Sequence, residues 1–108
     1  MLEIKIEYIQ KLCKNKALRW TNHIIIRMLK RKISIPDVEN ALVSGEIIEQ
    51  YPNDYPYPSC LILGFTTNNN YIHVVCGINE TELHLITAYY PNPDEWSENF
   101  KIRKEELQ

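Results

Sequence analysis

Apolar positions in the first 45 residues recur every third or fourth place, and from there on they recur every second place. Ile4, Tyr8, Ile9 and Leu12 fall at helical spacing within residues 4–16, which predicts a first amphipathic helix. Thr21 or Asn22 can cap a second helix running to about Lys32, with Ile24, Ile25, Met28 and Leu29 as its apolar stripe. A third, short helix carries clear stop and start signals. Ser34 caps it, Pro36 sits in its first turn, Asp37 completes an S-x-x-D box, and Gly45 ends it, with Val38, Ala41 and Leu42 facing inward.

Past Gly45 the pattern predicts strands over 46–51, 59–66, 71–78 and 83–90, all rich in β-branched and aromatic residues. Residues 52–58 (PNDYPYP) hold three prolines and form a loop, while TNNN and NET are turn compositions that favour consecutive antiparallel hairpins. PNPDEW (91–96) closes the sheet region and opens a short C-terminal turn or helix, followed by a basic tail. The expectation is a single α+β domain over 1–108, with N-terminal helices packed on one face of a four-stranded antiparallel sheet. Alternation in YIHVVCGI puts Ile72, Val74, Cys76 and Ile78 on the core face and turns His73 toward the other, less apolar face, which can be open or covered. An even number of unpaired residues in the next turn would set His84, Ile86, Ala88 and Tyr90 beside His73; an odd number would set Thr87 and Tyr89 there.

With 108 residues, 44% hydrophobic and 24% charged, the chain has ordinary globular composition. No apolar run approaches the roughly 20 residues of a membrane span, and the N-terminus lacks a signal peptide's apolar centre. Three scattered cysteines suit a reducing cytosol better than disulfides or structural zinc, so a cytoplasmic protein is expected. The net charge of −2 speaks against a nucleic-acid partner, but its distribution does not. Lys11 to Lys32 holds eight basic residues and no acid, whereas Ile33 to Phe100 holds ten acids and no Lys or Arg. Phosphates respond to patches, not totals.

Within the basic segment His23, Arg27 and Arg31 are four residues apart and project from one side of the second helix. No metal motif, Walker loop or dinucleotide fingerprint is present, and no cofactor is expected. His, Arg and Tyr are the residue types needed for metal-independent cleavage of an RNA phosphodiester: a base for the 2′-hydroxyl, cations for the phosphorane, an acid for the leaving oxygen. The expected assignment makes His23 or His73 the base and the other the acid. Arg27 and Arg31 hold phosphate, Lys30 and Arg103 add binding charge, and Tyr89 positions or assists. Plainer alternatives stand beside them: His23 as a packed or capping residue, the arginines as a solvated face, His73 as a half-buried structural residue, Tyr89 as cover for the sheet edge, Arg103 as tail charge, and Trp96 as a core or hinge anchor.

The ordered set H-x-x-x-R-M-x-x-R-x-I-S (His23 to Ser34), D-V-x-x-A-L-x-x-G-E-I-I-E (Asp37 to Glu49), Y-P-x-x-x-P-Y-P-S (Tyr51 to Ser59), L-I-L-G (Leu61 to Gly64), H-V-V (His73 to Val75), I-T-x-Y (Ile86 to Tyr89) and P-x-x-W (Pro93 to Trp96) resembles the bacterial domain-of-unknown-function family 4258 (DUF4258) over about residues 20–104. The resemblance implies a small toxin-like domain related in fold to the RelE and barnase–EndoU–colicin ribonuclease group. It also implies a cognate antitoxin of zinc-finger or helix-turn-helix type as partner. Carried over by position, it favours His23, Arg27 and Arg31 on the helix, with His73 and Tyr89 on the sheet. Ile24 departs from the small residue usual after the helical His, and Lys32 from the Gly usual before the I-S pair; RelE-like ribosome-dependent toxins are also more basic than this chain. The function expected is an RNA-cleaving toxin of a type II toxin–antitoxin pair. The alternative is a non-catalytic nucleic-acid- or protein-interaction module of the same fold. An exposed edge strand near Tyr51 or Leu83 could pair in a homodimer or accept an antitoxin strand.

Overall fold

The computed structural model describes residues 3–107 and contains three α-helices and one five-stranded sheet. The helices are α1 (Ile6–Lys14), α2 (Asn22–Arg31) and α3 (Ile35–Ser44). The strands are β1 (Leu18–Arg19), β2 (Glu46–Tyr51), β3 (Ser59–Phe65), β4 (Tyr71–Ile78) and β5 (Leu83–Tyr89), in spatial order β1-β5-β4-β3-β2. Strands β2 to β5 are the four antiparallel strands the alternation predicts. The fifth corrects the expected count: Leu18 and Arg19 pair in parallel with Leu83 and His84. Two residues are too few for any period to register, and this pairing covers the sheet edge expected to be open at Leu83.

Local signals form the helices where the sequence places them. Thr21 Oγ1 accepts from Ile24 N at 3.3 Å to cap α2, and Lys32 ends it in the left-handed conformation. Ser34 and Asp37 form the reciprocal box at the start of α3, with Ser34 N to Asp37 Oδ2 at 3.0 Å and Asp37 N to Ser34 Oγ at 3.2 Å. The same carboxylate accepts from Thr67 N and Thr67 Oγ1 at 3.0 and 2.7 Å, which ties α3 to the β3–β4 turn. Burial alone would raise the Asp37 pKa, yet hydrogen bonding from Ser34 and Thr67 outweighs it and holds the group at about 2.

Ile9, Leu12, Ile24, Met28, Val38 and Leu42 from the helices meet Ile62, Ile72, Val74, Cys76, Leu85 and Ala88 from the sheet in one core. Gly64 sets how close α3 comes to that sheet. A Cβ at Gly64 would lie 2.4 Å from the Ala41 carbonyl oxygen and 2.7 Å from its Cα, so only the bare backbone lets the helix pass.

The opposite sheet face is covered rather than open. Trp96 and Phe100, from the segment after β5, lie over one end of it, and the 52–58 loop lies over the other, with Tyr57 stacked on His84. The Trp96 ring is buried there and packs edge-on against His73, while Phe100 meets Tyr71, so the chain folds back over outward residues of β4. Neither parity expected for β5 holds along its whole length. His84 pairs with Gly77, but a bulge shifts the register so that Thr87 pairs with Val75 and Tyr89 with His73. His84, Thr87 and Tyr89 therefore all share the face of His73.

Candidate functional site

The α2 strip begins from a simple geometric fact. A step of four residues turns a helix by roughly 40° more than a full circle. His23, Arg27 and Arg31 therefore drift progressively toward the sheet, and their exposure follows. His23, Arg27 and the neighbouring Lys30 are exposed, while Arg31 is half-buried. Arg31 Nη1 donates to Ala88 O at 2.8 Å and to Thr87 Oγ1 at 3.2 Å. Because β1 ends at Arg19, this stretch of β5 has no strand beyond it, and Arg31 occupies a carbonyl of the open edge. Two bonds to fixed acceptors orient the guanidinium and leave its other N–H groups free to donate.

Four cations elsewhere have carboxylate partners: Lys16 with Glu39, Arg19 with Glu82, Lys101 with Glu46 and Arg103 with Glu49, at 3.8, 3.3, 2.8 and 3.0 Å. Among the described residues no carboxylate lies within ion-pair distance of His23, Arg27, Lys30 or Arg31. The acid-free run in the sequence thus becomes an acid-free flank of one helix, alongside the open edge of β5.

His73 stands elsewhere. It is 0% exposed, on the sheet face away from the helices. Its Nε2 lies 2.9 Å from Phe100 O, a group that can only accept, so Nε2 carries the proton and donates. That leaves Nδ1 to accept from the Tyr89 hydroxyl at 3.3 Å. The Trp96 and Tyr89 rings meet the imidazole edge-on at 4.5 and 5.3 Å. Burial pushes the His73 pKa below the ordinary imidazole value, with the Phe100 carbonyl and Glu49 opposing it more weakly. Burial likewise pushes the Tyr89 phenol upward.

Beside them Arg103 grips Glu49 through Nε and Nη2 at 3.0 and 3.1 Å and lies over the Trp96 ring at 4.7 Å. The Tyr51 hydroxyl donates to Glu49 as well. Burial opposes ionisation of Glu49, but Arg103 and Tyr51 prevail and hold its carboxyl below the usual range.

The expected site therefore divides. The two histidines are not brought together: His23 lies on the outer side of the helix layer and His73 is sealed behind the sheet. An acid–base pair formed by both around one phosphate does not fit this geometry, because the alternation that turns His73 from the core also turns it from α2. Arg103, expected among the phosphate-binding cations, is committed to Glu49. Arg31 reaches the residue before Tyr89, whose own hydroxyl turns to His73. Sequence reasoning missed Thr87 and Glu49; the odd-parity alternative already set Thr87 beside Tyr89, while nothing in the sequence signals the long-range pairing of Glu49 with Arg103. Among the described residues no group of three or more His, Cys, Asp or Glu is placed to hold a metal ion. No helix among them is long and apolar enough to cross a membrane.

Comparison with known proteins adds one result to this geometry. No curated protein and no solved structure matches the chain. A family model described as "Domain of unknown function (DUF4258)" matches residues 20–90, a span that runs from just before α2 to just past β5 and includes every candidate residue above except Arg103. The chain belongs to the DUF4258 family.

Proposed function

We propose that this protein is an RNA-binding domain of the toxin kind, holding a phosphate backbone along the exposed flank of α2. The observation that carries the reading is the set of four aligned basic side chains, His23, Arg27, Lys30 and Arg31, with no carboxylate in ion-pair reach among the described residues. Arginine forks suit phosphate oxygens, and the Arg31 fork is already oriented by Thr87 and Ala88. In the narrower form of the proposal the domain cleaves the RNA it binds. His23 is then the proton-transfer group beside the phosphate, while Tyr89 and His73, bonded to each other on the far sheet face, act through the fold.

The test is binding of a single-stranded RNA followed by fluorescence anisotropy at several salt concentrations. Replacing Arg27 and Lys30 together by Ala should weaken binding and flatten the salt dependence by roughly 1.4 in the log–log slope, the counterions of two phosphate contacts. An unchanged slope would remove α2 from the interface. Cleavage is tested by inducing wild type and His23→Ala in a bacterial host and sizing total RNA.

A second reading has its own observation. Ile26 and Leu29 are 53% and 73% exposed on the outer side of α2, beside the same cations. Phosphates make no use of them, whereas an acidic, amphipathic protein segment would. In this reading α2 docks a protein partner, such as an antitoxin, and RNA and that partner compete for one helix.

A further inference from the structure

The 52–58 loop carries aromatic side chains with no role in the core. Tyr55 is 95% exposed and Tyr57 is 36% exposed, and the Tyr57 ring stacks on His84 with centroids 4.8 Å apart and planes 29° from parallel. Both partners of that stack are held in place. Pro52, Pro56 and Pro58 restrict the loop backbone, Asp54 N donates to Tyr51 O at 3.2 Å, and Ser59 Oγ donates to the Asp54 carboxylate. Ile78 N donates to Pro58 O at 3.0 Å, extending the sheet ladder into the loop. Asn79 Nδ2 donates to His84 Nε2 at 3.0 Å and fixes the imidazole. Flat rings displayed on a rigid loop lose little freedom when another flat ring settles on them.

The position of this stack relates it to α2. His84 lies in register beside Arg19 of β1, four residues before His23, and α2 then runs along β5 until Arg31 reaches Ala88. The ring pair therefore lies on one face of the β1–β5 edge, and α2 packs on the other. Of the carboxylates nearby, Glu82 is paired with Arg19 at 3.3 Å, and Asp54 accepts from Ser59.

We infer that the Tyr57–His84 stack, with Tyr55 on the same loop, is a nucleobase-stacking platform that takes the bases of a single-stranded RNA whose phosphates lie along α2. This rests on the RNA-binding reading proposed above. It also names the substrate class: an unpaired strand with accessible base faces, since a duplex hides them.

The test compares single-stranded oligoadenylate RNA with inorganic polyphosphate, a chain of phosphates without bases. Tyr55→Ala with Tyr57→Ala should weaken RNA binding roughly 5- to 150-fold, leave the salt slope as it was, and leave polyphosphate binding unchanged. Tyr57→Phe keeps the ring and should bind RNA as wild type does. Equal loss for RNA and polyphosphate would show a structural defect and overturn the platform. Unchanged RNA affinity in the tyrosine variant, with affinity still lost on replacing Arg27 and Lys30, would overturn the platform and leave the α2 reading standing. RNA binding that ignores Arg27 and Lys30 would overturn the underlying reading, and the platform with it.

Discussion

Replacing His73 by Ala removes an imidazole that donates to Phe100 O, accepts from Tyr89 and meets Trp96 edge-on, all with 0% exposure. Two hydrogen bonds disappear at about 1 kcal/mol each, and the half-buried carbonyl and phenol they leave unpaired add about 1 kcal/mol. The cavity adds a further 1–2 kcal/mol or so, for a total of about 4–5 kcal/mol. That is a large part of the roughly 5–15 kcal/mol that holds a domain of this kind. Urea unfolding read through tryptophan fluorescence measures it, with exposed His23→Ala as the control expected within about 0.5 kcal/mol of wild type. The pH dependence supplies an independent signature. The His73 pKa is depressed in the folded state, so the unfolded chain binds the extra proton first. Stability is complete above the unfolded value of about 6.5 and falls as the pH drops below it toward the folded value, a slope that His73→Ala should lack. A loss below about 1 kcal/mol, or RNA cleavage abolished with stability intact, would refute the structural role and return His73 to the chemistry.

Asp37 titrates at about 2 in the folded state against 3.8 for the ordinary carboxyl, so it contributes about 2 kcal/mol that is present above pH 3.8 and lost as the pH falls toward 2. Asp37→Asn should lose most of that at neutral pH and flatten the acid limb of a stability–pH curve. Gly64→Ala puts a methyl group into the Ala41 backbone and should cost about 1–3 kcal/mol by urea unfolding, although alanine suits a strand no worse than glycine does. Thr87→Val removes one of the two acceptors that orient Arg31; RNA affinity should fall while urea unfolding stays within about 1 kcal/mol of wild type.

Much of the fold could be read from local signals, because its determinants are local. The Ser34–Asp37 box, the Thr21 cap and the 2- and 3.6-residue periods each act within a few residues, and each appears where the sequence places it. The features that escaped are those set by tertiary contact. β1 exists only because Ala17 and Leu18 meet Leu83, and Leu83 N donates to Ala17 O at 2.9 Å. The β5 bulge depends on register against β4, and a one-residue slip exchanges faces for every residue beyond it. The same limit governs the candidate site. Spacing alone aligned His23, Arg27 and Arg31, and that alignment is a property of one helix. Joining His23 to His73 required knowing which side of the sheet α2 covers and what folds over the other side. Arg103 shows the point again: in the sequence it is a tail charge 54 residues from Glu49, and in space it is that carboxylate's bidentate partner.

The central claim, that α2 is the RNA-binding element, is tested most directly by titrating single-stranded RNA into isotope-labelled protein and following amide and arginine side-chain resonances. The account predicts shifts concentrated on His23 to Lys32 and at Thr87 and Ala88, with the Arg27 and Arg31 guanidinium signals moving most. Shifts confined to another surface, or none at RNA concentrations that saturate other basic domains, would contradict it.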